Sequence, residues 1–398
     1  MQNFNYNIAT RIHFGKGAVT QYLKDEVLNY GKKVLFVYDD IPVKASGLYD
    51  EIVKALNDGG IEFTEFSGIE PNPKHTTINK GIALLREKGG EVVIAAGGGS
   101  TIDTGKAIGF GYYGDEDVWD FYCGKKTVTK TLPVICIPTL AAAGAEVSWS
   151  AVVSNLEAKR KIGLRNPLNR PAVAIADPTY TFSVPAFHTS CGVIDIMSHT
   201  LETYFSNTMA MQDSISEGIQ LAAVHAGRKV QINPSDYDAR AELMWAAQFS
   251  IMQVSSFGRT NCNTIIHTLE HMLSAHIDAV IHGAGIGILS LAYYKYALND
   301  QTAPKFAHWG KRIWGVDPSL SDYEAAREAI ARYEAFIEEM GLPTRLSQMK
   351  IARGSDKNIT LEDVMPVVED LAKTSDGSKW YAPVNTKEDY LAIFKLAM

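Results

Sequence analysis

The sequence predicts an α/β domain with a parallel, doubly wound sheet, followed by an all-helical domain. In the first half, short runs of β-branched and aromatic residues alternate with helical stretches, which is typical of consecutive strand–helix–strand units. After Pro178 the pattern changes to long stretches rich in Ala, Leu, Met, Glu and His. A chain of 398 residues is long enough for two such domains, which we place at residues 1–184 and 185–398.

Four strands are predicted in the first domain, at 33–38, 61–66, 91–96 and 132–138. Two of them, KVLFVY and EVVIAA, are continuous apolar runs, which are typical of strands buried on both faces of a parallel sheet. Helical patterns fill the intervals at 48–56 and 76–88 and begin again at 101. The segment 4–14 is β-rich but precedes this alternation, so we expect its free edge to pair with a second chain in a homodimer.

The second domain is predicted from apolar residues that recur at i, i+3 and i+4, the spacing of an amphipathic helix. The periodicity predicts helices at 190–206, 212–229, 236–256, 263–276, 285–297, 323–340, 361–372 and 386–396. The boundary lies near Pro178 and Pro185, because proline interrupts helices and central strands.

Composition and charge exclude several classes of protein. Lys and Arg number 38 against 45 Asp and Glu, a net charge of −7, which is not the basic footprint of a nucleic-acid binder. The mean hydropathy is −0.07, and no uncharged apolar stretch reaches about 18 residues, so we expect no membrane span. The first residues do not resemble a secretory signal, and the four cysteines form no CxxC pair. A reducing cytoplasm is the expected compartment.

A glycine-rich turn follows the strand EVVIAA and precedes a helix. Backbone N–H groups of Gly98, Gly99 and Ser100 can approach an anion closely, and the helix N-terminus adds partial positive charge. A pyrophosphate is the expected ligand of such a turn, although three glycines also fit a tight turn that binds no ligand. The run is not GxGxxG, so it does not predict an ordinary Rossmann domain.

An acidic residue, Asp39, ends the strand KVLFVY. A carboxylate at such a strand end can accept hydrogen bonds from ribose hydroxyls and would repel a 2′-phosphate. Asp39 therefore favours NAD over NADP, although a solvated loop carboxylate is an equally ordinary interpretation.

Histidines and one aspartate recur at helical spacing in the second domain. Asp195 and His199 stand at i and i+4, as do His267 and His271, and His282 follows shortly after. Two such helices can surround one divalent cation, although a single helical histidine is usually an ordinary core or surface residue. Imidazole and carboxylate suit Fe(II), Zn(II), Mn(II) or Ni(II), and the absence of cysteine disfavours a closed thiolate zinc site.

Over essentially its whole length, the chain resembles the iron-containing, group III alcohol dehydrogenases, and among them the butanol dehydrogenase-like branch. The blocks GGGSTIDTGKAIG, IADPTYTFSVP, GVIDIMSHTLETYF and HTLEHMLSAHIDAVIHGAGIGI carry the resemblance through their order and separation. It implies a dehydroquinate synthase-like architecture, in which an α/β dinucleotide-binding domain precedes a helical metal domain.

The resemblance also implies roles for particular residues. The implied metal ligands are Asp195, His199, His267 and His282, and His271 would face the nicotinamide and relay a proton. The implied cofactor contacts are Asn72, Gly98, Gly99, Ser100, Asp103, Thr139, Leu140, Lys161 and Tyr180. His276 lies in the loop before the last ligand and is expected not to bind the metal.

The chain departs from the family pattern at the cofactor. The usual PTTAGTGSE-like run reads PTLAAAGAE, so Ala143 and Ala145 replace hydroxyl residues and remove hydrogen-bond donors near the nicotinamide. Ser148 stands where close relatives often carry Asn. YDDIP replaces a frequent YGGGS, which introduces the Asp39 carboxylate and weakens the case for NADP.

The implied reaction is reversible hydride transfer between a primary alcohol and NAD, with NADP as the alternative cofactor. Fe(II) is the implied metal, with Zn(II) or another divalent ion as the alternative. Three other functions stay open: glycerol dehydrogenase-like polyol oxidation, a dehydroquinate synthase-like lyase, and a nucleotide- or metal-binding protein with weakened catalysis. A small alcohol or aldehyde is the expected partner, without nucleic acid or membrane.

Overall fold

A computed structural model describes residues 1–114, 117–260, 264–375 and 381–398. The chain divides into two compact units. We call the unit formed by Asn7–Pro185 and Ile232–Met252 the α/β unit, and the unit formed by Met1–Tyr6, Ala186–Gln231 and Gln253–Met398 the helical unit. The single boundary that the sequence predicts, between residues 184 and 185, therefore describes these units incompletely. Residues 1–6 precede it but belong to the helical unit, and residues 232–252 follow it but belong to the α/β unit.

The α/β unit contains all eight strands of the described ranges. They are β1 (Arg11–Phe14), β2 (Lys33–Tyr38), β3 (Glu62–Phe66), β4 (Val92–Gly97), β5 (Val134–Pro138), β6 (Ser150–Asn155), β7 (Arg160–Arg165) and β8 (Val173–Ala176). Six of them form one sheet in the order β1-β8-β5-β4-β2-β3, and every neighbouring pair is parallel. β6 and β7 form a separate antiparallel hairpin. The predicted parallel sheet is confirmed.

The central strands are buried on both faces, as their continuous apolar runs predict. Along β2, Leu35 and Val37 belong to the core on one face of the sheet, while Val34 and Phe36 belong to the core on the other. This alternation follows from the two-residue period of a strand. Helices must therefore cover both faces, which defines a doubly wound sheet.

The strand order reverses direction between β2 and β4. The chain leaves β2 for β3 on one side, and it leaves β4 for β5 on the other side. In open α/β sheets, ligands bind at the carboxyl ends of the strands where the order reverses. The residues that follow β2 and β4, Asp39 and Gly98, therefore stand at the expected ligand position.

Fifteen α-helices lie in the described ranges. They are α1 (Ala18–Leu28), α2 (Asp40–Ala45), α3 (Leu48–Asp58), α4 (His75–Lys88), α5 (Gly99–Gly111), α6 (Trp119–Tyr122), α7 (Ala186–Tyr204), α8 (Ala210–Ile232), α9 (Tyr237–Ile251), α10 (Ile265–His276), α11 (His282–Ala297), α12 (Ala303–Trp309), α13 (Asp322–Glu339), α14 (Met365–Thr374) and α15 (Lys387–Leu396). None of them is both long and apolar enough to cross a membrane. The helical unit holds no β-strand among its described residues, and the predicted all-helical C-terminal domain is confirmed.

Helix α9 was expected in the helical domain but belongs to the α/β unit. The reason is a close backbone approach at Gly144, whose φ is +58° and where a Cβ would lie 2.5 Å from the carbonyl oxygen of Ala247. Gln248 donates a hydrogen bond to Glu146 at 3.0 Å within the same buried contact. Helical periodicity predicts an apolar face but not which surface it covers, so the sequence could not assign α9.

The predicted strand at 4–14 is largely wrong. Only β1 is a strand, and it pairs in parallel with β8 inside the same chain. The preceding residues belong to no helix or strand, and Phe4 and Tyr6 instead contact the ring of Phe257. The sequence also missed α1, α12, β8 and the β6–β7 hairpin. Residue 263, the predicted start of α10, lies outside the described residues.

Candidate active site

The four predicted metal ligands come together in the helical unit, on three helices. Asp195 and His199 lie one turn apart on α7, His267 lies on α10, and His282 is the first residue of α11. From Asp195 Oδ1, the Nε2 atoms lie 3.8 Å away in His199, 3.5 Å in His267 and 3.7 Å in His282. The structure thus brings three imidazoles around one carboxylate, and within this cluster Asp195, His267 and His282 offer ligand atoms that all lie within 4.8 Å of one another.

This arrangement fits one divalent cation. Ligand atoms about 2.1 Å from a tetrahedral ion lie about 3.4 Å from one another, close to the observed separations. Asp195 Oδ1 and His267 Nε2 are both buried and have no hydrogen-bond partner. Buried polar atoms are almost always paired, so two unpaired atoms that lie this close together are suited to bind a common cation.

Charge within the cluster also favours a cation. Burial alone would raise the pKa of Asp195, but His199, His267 and His282 outweigh it and lower that pKa below its ordinary value. Burial lowers the pKa of His199 to about 4 despite the attraction of Asp195, so its ring is neutral and can donate an electron pair. Burial also disfavours a charged His267, but Glu202 and Asp195 raise its pKa to about 10. The carboxylates here attract a positive charge that a metal ion would supply.

Two buried glutamates, which the sequence analysis missed, hold the outer nitrogens of two of these rings. Glu202 Oε2 lies 2.6 Å from His267 Nδ1, and Glu270 is hydrogen-bonded to His282 Nδ1. Both glutamates are buried, with exposed fractions of 5% and 0%. The available signal was the tetrapeptide HTLE, which occurs at 199–202 and again at 267–270.

The remaining histidines of α10 have different surroundings. The ring of His271 lies 5.9 Å from that of His267 and 5.5 Å from that of His282, measured between centroids, so it borders the cluster. His276 instead pairs with Asp370, at 3.0 Å from Nε2 to Oδ2. The structure thus brings the predicted proton relay beside the ligands, while the predicted non-ligand has a separate partner.

In the α/β unit, the glycine turn and Asp39 contact each other where the strand order reverses. Asp39 Oδ2 accepts a hydrogen bond from the backbone N–H of Gly98 at 3.1 Å. A Cβ on Gly97, whose φ is +154°, would lie 2.8 Å from the same oxygen. Burial raises the pKa of Asp39, against the effect of Gly98 and the nearby Thr101 hydroxyl. The sequence analysis predicted the glycine turn and Asp39 separately, and in the fold they are in direct contact.

The segment after β5 borders the same turn. Thr139 is buried, and its backbone N–H donates to the carbonyl of Gly97 at 3.0 Å. A Cβ on Gly98 would lie 4.0 Å from Leu140 Cδ2, and one on Gly99 would lie 3.8 Å from the Ala143 side chain and 4.0 Å from Ala145. Ala143 and Ala145 therefore line the glycine turn itself.

Several other predicted cofactor residues have contacts within the protein. Asp103 bonds Lys106 Nζ at 3.1 Å and accepts from the backbone N–H of Val152 at 2.9 Å, which ties α5 to the hairpin. The Tyr180 hydroxyl donates to Glu51 at 2.7 Å and is therefore engaged with α3. Their assignment to the cofactor stays a prediction.

The last three predicted cofactor residues lie apart in sequence. Ser100 lies in the first turn of α5, Asn72 is buried in a left-handed conformation with a φ of 54°, and Lys161 lies on β7 opposite Ser154. Their assignment to the cofactor also stays a prediction.

A nucleotide-type α/β unit joined to a helical unit with a carboxylate–imidazole cluster defines the class of metal-dependent dehydrogenases. Comparison with known proteins narrows this class. The family model described as "Iron-containing alcohol dehydrogenase" matches residues 9–178, and "Fe-containing alcohol dehydrogenase family, C-terminal" matches residues 189–398. The NADH-dependent butanol dehydrogenase A of Clostridium acetobutylicum is 39% identical over 398 residues, which is 99% of each chain.

Other relatives agree with this result. The NADPH-dependent aldehyde reductase YqhD of Escherichia coli is 33% identical over 87% of this chain and 89% of its own. The crystal structure of NADH-dependent butanol dehydrogenase A from Thermotoga maritima superimposes with a TM-score of 0.91 at 31% identity, covering 100% of this chain and 99% of its own. The chain belongs to the iron-containing alcohol dehydrogenase family. It is an NAD(P)-dependent enzyme that interconverts alcohols and aldehydes.

Proposed function

We propose that this protein transfers hydride between NAD(H) and a small primary alcohol or its aldehyde, with one divalent cation, Fe(II), at the cluster. The observation that carries the proposal is the convergence of three imidazole Nε2 atoms on Asp195 Oδ1, at 3.5–3.8 Å. Relatives named as NADH-dependent butanol dehydrogenases, at 39% and 38% identity, support the dinucleotide and the substrate class.

The metal would be held by Asp195, His199, His267 and His282. When bound, such a cation lowers the pKa of an alcohol hydroxyl and polarises an aldehyde carbonyl. His271 borders the cluster through its contact with the His282 ring and is partly exposed, so it can pass the hydroxyl proton toward solvent.

The α/β unit would hold the dinucleotide at the point where the strand order reverses. The free N–H groups at the start of α5, from Gly99 and Ser100, would bind the pyrophosphate. Asp39 would accept hydrogen bonds from the adenine ribose, with NAD(H) favoured because a 2′-phosphate would meet like charge. Asn72, Thr139, Leu140, Lys161 and Tyr180 are proposed as further contacts.

The proposed assembly is a homodimer in the cytoplasm. β1 is an edge strand of the sheet, and its last residue, Phe14, is 39% exposed, which supports pairing with a second copy. Phe4 and Tyr6, 49% and 43% exposed, add apolar surface to the same end of the chain. The cysteines of the described ranges, Cys123, Cys136 and Cys191, are free, in keeping with a reducing compartment.

The test is an aldehyde panel of increasing chain length, assayed with NADH and NADPH in parallel. Metal content is measured on the same samples, and the metal-free protein is reloaded separately with Fe(II) and Zn(II). We expect NADH oxidation that requires bound metal and is fastest with a short linear aldehyde. If no aldehyde supports oxidation of either dinucleotide at full metal occupancy, the proposal is wrong.

A further inference from the structure

The carboxylate of Glu202 makes two contacts with one residue of another helix. Its Oε2 atom lies 2.6 Å from His267 Nδ1, and its Oε1 atom accepts the backbone N–H of His267 at 2.9 Å. Glu202 lies on α7, one turn after His199, whereas His267 lies on α10. One side chain therefore fixes both the backbone position and the ring of a proposed ligand.

The backbone contact also supplies a helix cap. The first N–H groups of α10 lack partners within the helix, and the residue before it, Thr264, makes no side-chain cap bond. Glu202 accepts one of these N–H groups and brings a negative charge to the positive end of α10. The start of α10 and the direction of its first metal-facing ring thus depend on the same carboxylate.

Glu270 makes the corresponding contact one helix further along. It lies on α10, is fully buried, and is hydrogen-bonded to Nδ1 of His282, the first residue of α11. A carboxylate that holds Nδ1–H leaves the electron pair of Nε2 directed away from it, here toward Asp195. Because the glutamate charge polarises the ring, it also makes Nε2 a stronger electron donor.

The two HTLE tetrapeptides are used in the same way. In each one, the glutamate holds a histidine of another helix toward the cluster and not the histidine three residues before it. His199 is left without such support: its Nδ1 atom is buried without a hydrogen-bond partner, and its ring stacks on that of His267 at 4.7 Å. The three imidazoles therefore differ in how firmly they are held.

We propose that Glu202 and Glu270 are positioning residues that orient His267 and His282 and strengthen their binding to the metal, while His199 is the most weakly held ligand. This inference rests on the metal site of the proposed function. Loss of such an outer carboxylate typically lowers metal affinity by about 10- to 100-fold.

The experiment measures Co(II) binding to the full-length chain by competition with a chromophoric chelator, together with the visible spectrum of the bound ion. The variants are Glu202→Gln and Glu270→Gln, which keep side-chain size and remove the charge. The matched control is Asp370→Asn, which removes the carboxylate partner of His276 on the same helix, α10. Far-UV circular dichroism and the thermal midpoint of each metal-free protein report folding.

We expect each glutamine variant to bind Co(II) about 10-fold or more weakly and to shift its visible bands, because the ligand field follows ring direction and basicity. The control should retain both the affinity and the spectrum. Glutamine variants that keep wild-type affinity and bands overturn the inference and leave the proposed function standing. A wild-type protein that binds no Co(II) overturns the proposed metal site and this inference together.

A second comparison covers the case in which loss of Glu202 unfolds the protein. His199→Ala and His267→Ala each remove one imidazole from the cluster. We expect His199→Ala to retain more Co(II) affinity than His267→Ala, by about tenfold, because only His267 has a carboxylate behind it. Equal losses in the two variants would show that the carboxylates do not distinguish the ligands.

Discussion

Gly283, which follows the proposed ligand His282, should not tolerate a side chain without loss of stability, because the backbones of α7 and α11 approach each other closely there. A Cβ built on Gly283 would lie 2.6 Å from both the Cα and the carbonyl carbon of Cys191, and it would meet the carbonyl oxygen as well. These obstructing atoms are backbone, so no side-chain rotation can relieve the overlap. Cys191 lies one turn before Asp195 on α7, so the same approach sets the distance across the metal cluster.

The size of the effect follows from these distances. Carbon atoms in contact need about 3.5–4.0 Å, so Gly283→Ala must separate the two helices by about 1 Å. Overpacking of this kind costs about 3 kcal/mol at the upper end of its range, and the better helix propensity of alanine offsets about 1 kcal/mol. We therefore expect the free energy of unfolding to fall by about 2 kcal/mol. A shift of about 1 Å also disturbs the 3.7 Å spacing of His282 Nε2 and Asp195 Oδ1.

The assay combines chemical denaturation of the metal-free protein with Co(II) or Zn(II) affinity by chelator competition. Metal affinity should fall at least tenfold, or about 1.4 kcal/mol. Gly287→Ala, one turn further along α11, is the control, because its Cβ would lie 3.6 Å from Ile194 Cγ2 in ordinary contact. That variant should be neutral or more stable by up to about 1 kcal/mol. The reasoning is refuted if Gly283→Ala matches Gly287→Ala in both measurements.

Three further predictions follow from the same geometry. His267→Ala should lose bound metal and activity together, whereas His276→Ala should keep full metal content; a His267 variant with wild-type metal occupancy would remove that residue from the site. Asp39→Gly should raise kcat/KM for NADPH relative to NADH by roughly tenfold to a hundredfold, and Asp39→Asn, which keeps an acceptor for the Gly98 N–H, should move the ratio the same way if charge is the cause. Wild-type preference for NADPH would contradict this role for Asp39. Light scattering at micromolar concentration should give twice the chain mass of 43.6 kDa, and a species of that single mass would count against the dimer.

The sequence predicted best the elements whose burial follows from their residue types alone. β2 begins and ends where KVLFVY does, because every residue of this strand after Lys33 is buried and the apolar run therefore marks its extent. β8 has only four residues, VAIA, too few to show a period. Helix α9 was recognised as a helix but assigned to the wrong unit, since its partner surface around Gly144 is distant in sequence.

The proximity of the proposed metal ligands was predictable in part for a similar reason. Ligands at i and i+4 share a helix face, so Asp195 and His199 are linked by local geometry alone. The contacts of Glu202 and Glu270 run from one helix to another, and a helical glutamate is far more often a solvated surface residue. Asp39 shows a further limit of prediction from the sequence. Its hydrogen bond with Gly98 depends on the order of the strands in the sheet, which no local sequence pattern encodes.

The chain re-enters the α/β unit at residues 232–252 to form helix α9, which restricts where the protein can be cut into fragments that fold. The polypeptide passes from one unit to the other after Tyr6, Pro185, Gln231 and Met252. A fragment that stops at residue 184 therefore lacks the helix that covers the Gly144 backbone and pairs with Glu146. Such a fragment exposes that buried surface and should aggregate or be degraded. Exchange of the α/β unit between related enzymes, in evolution or in chimeras, must therefore carry residues 232–252 along with residues 7–185.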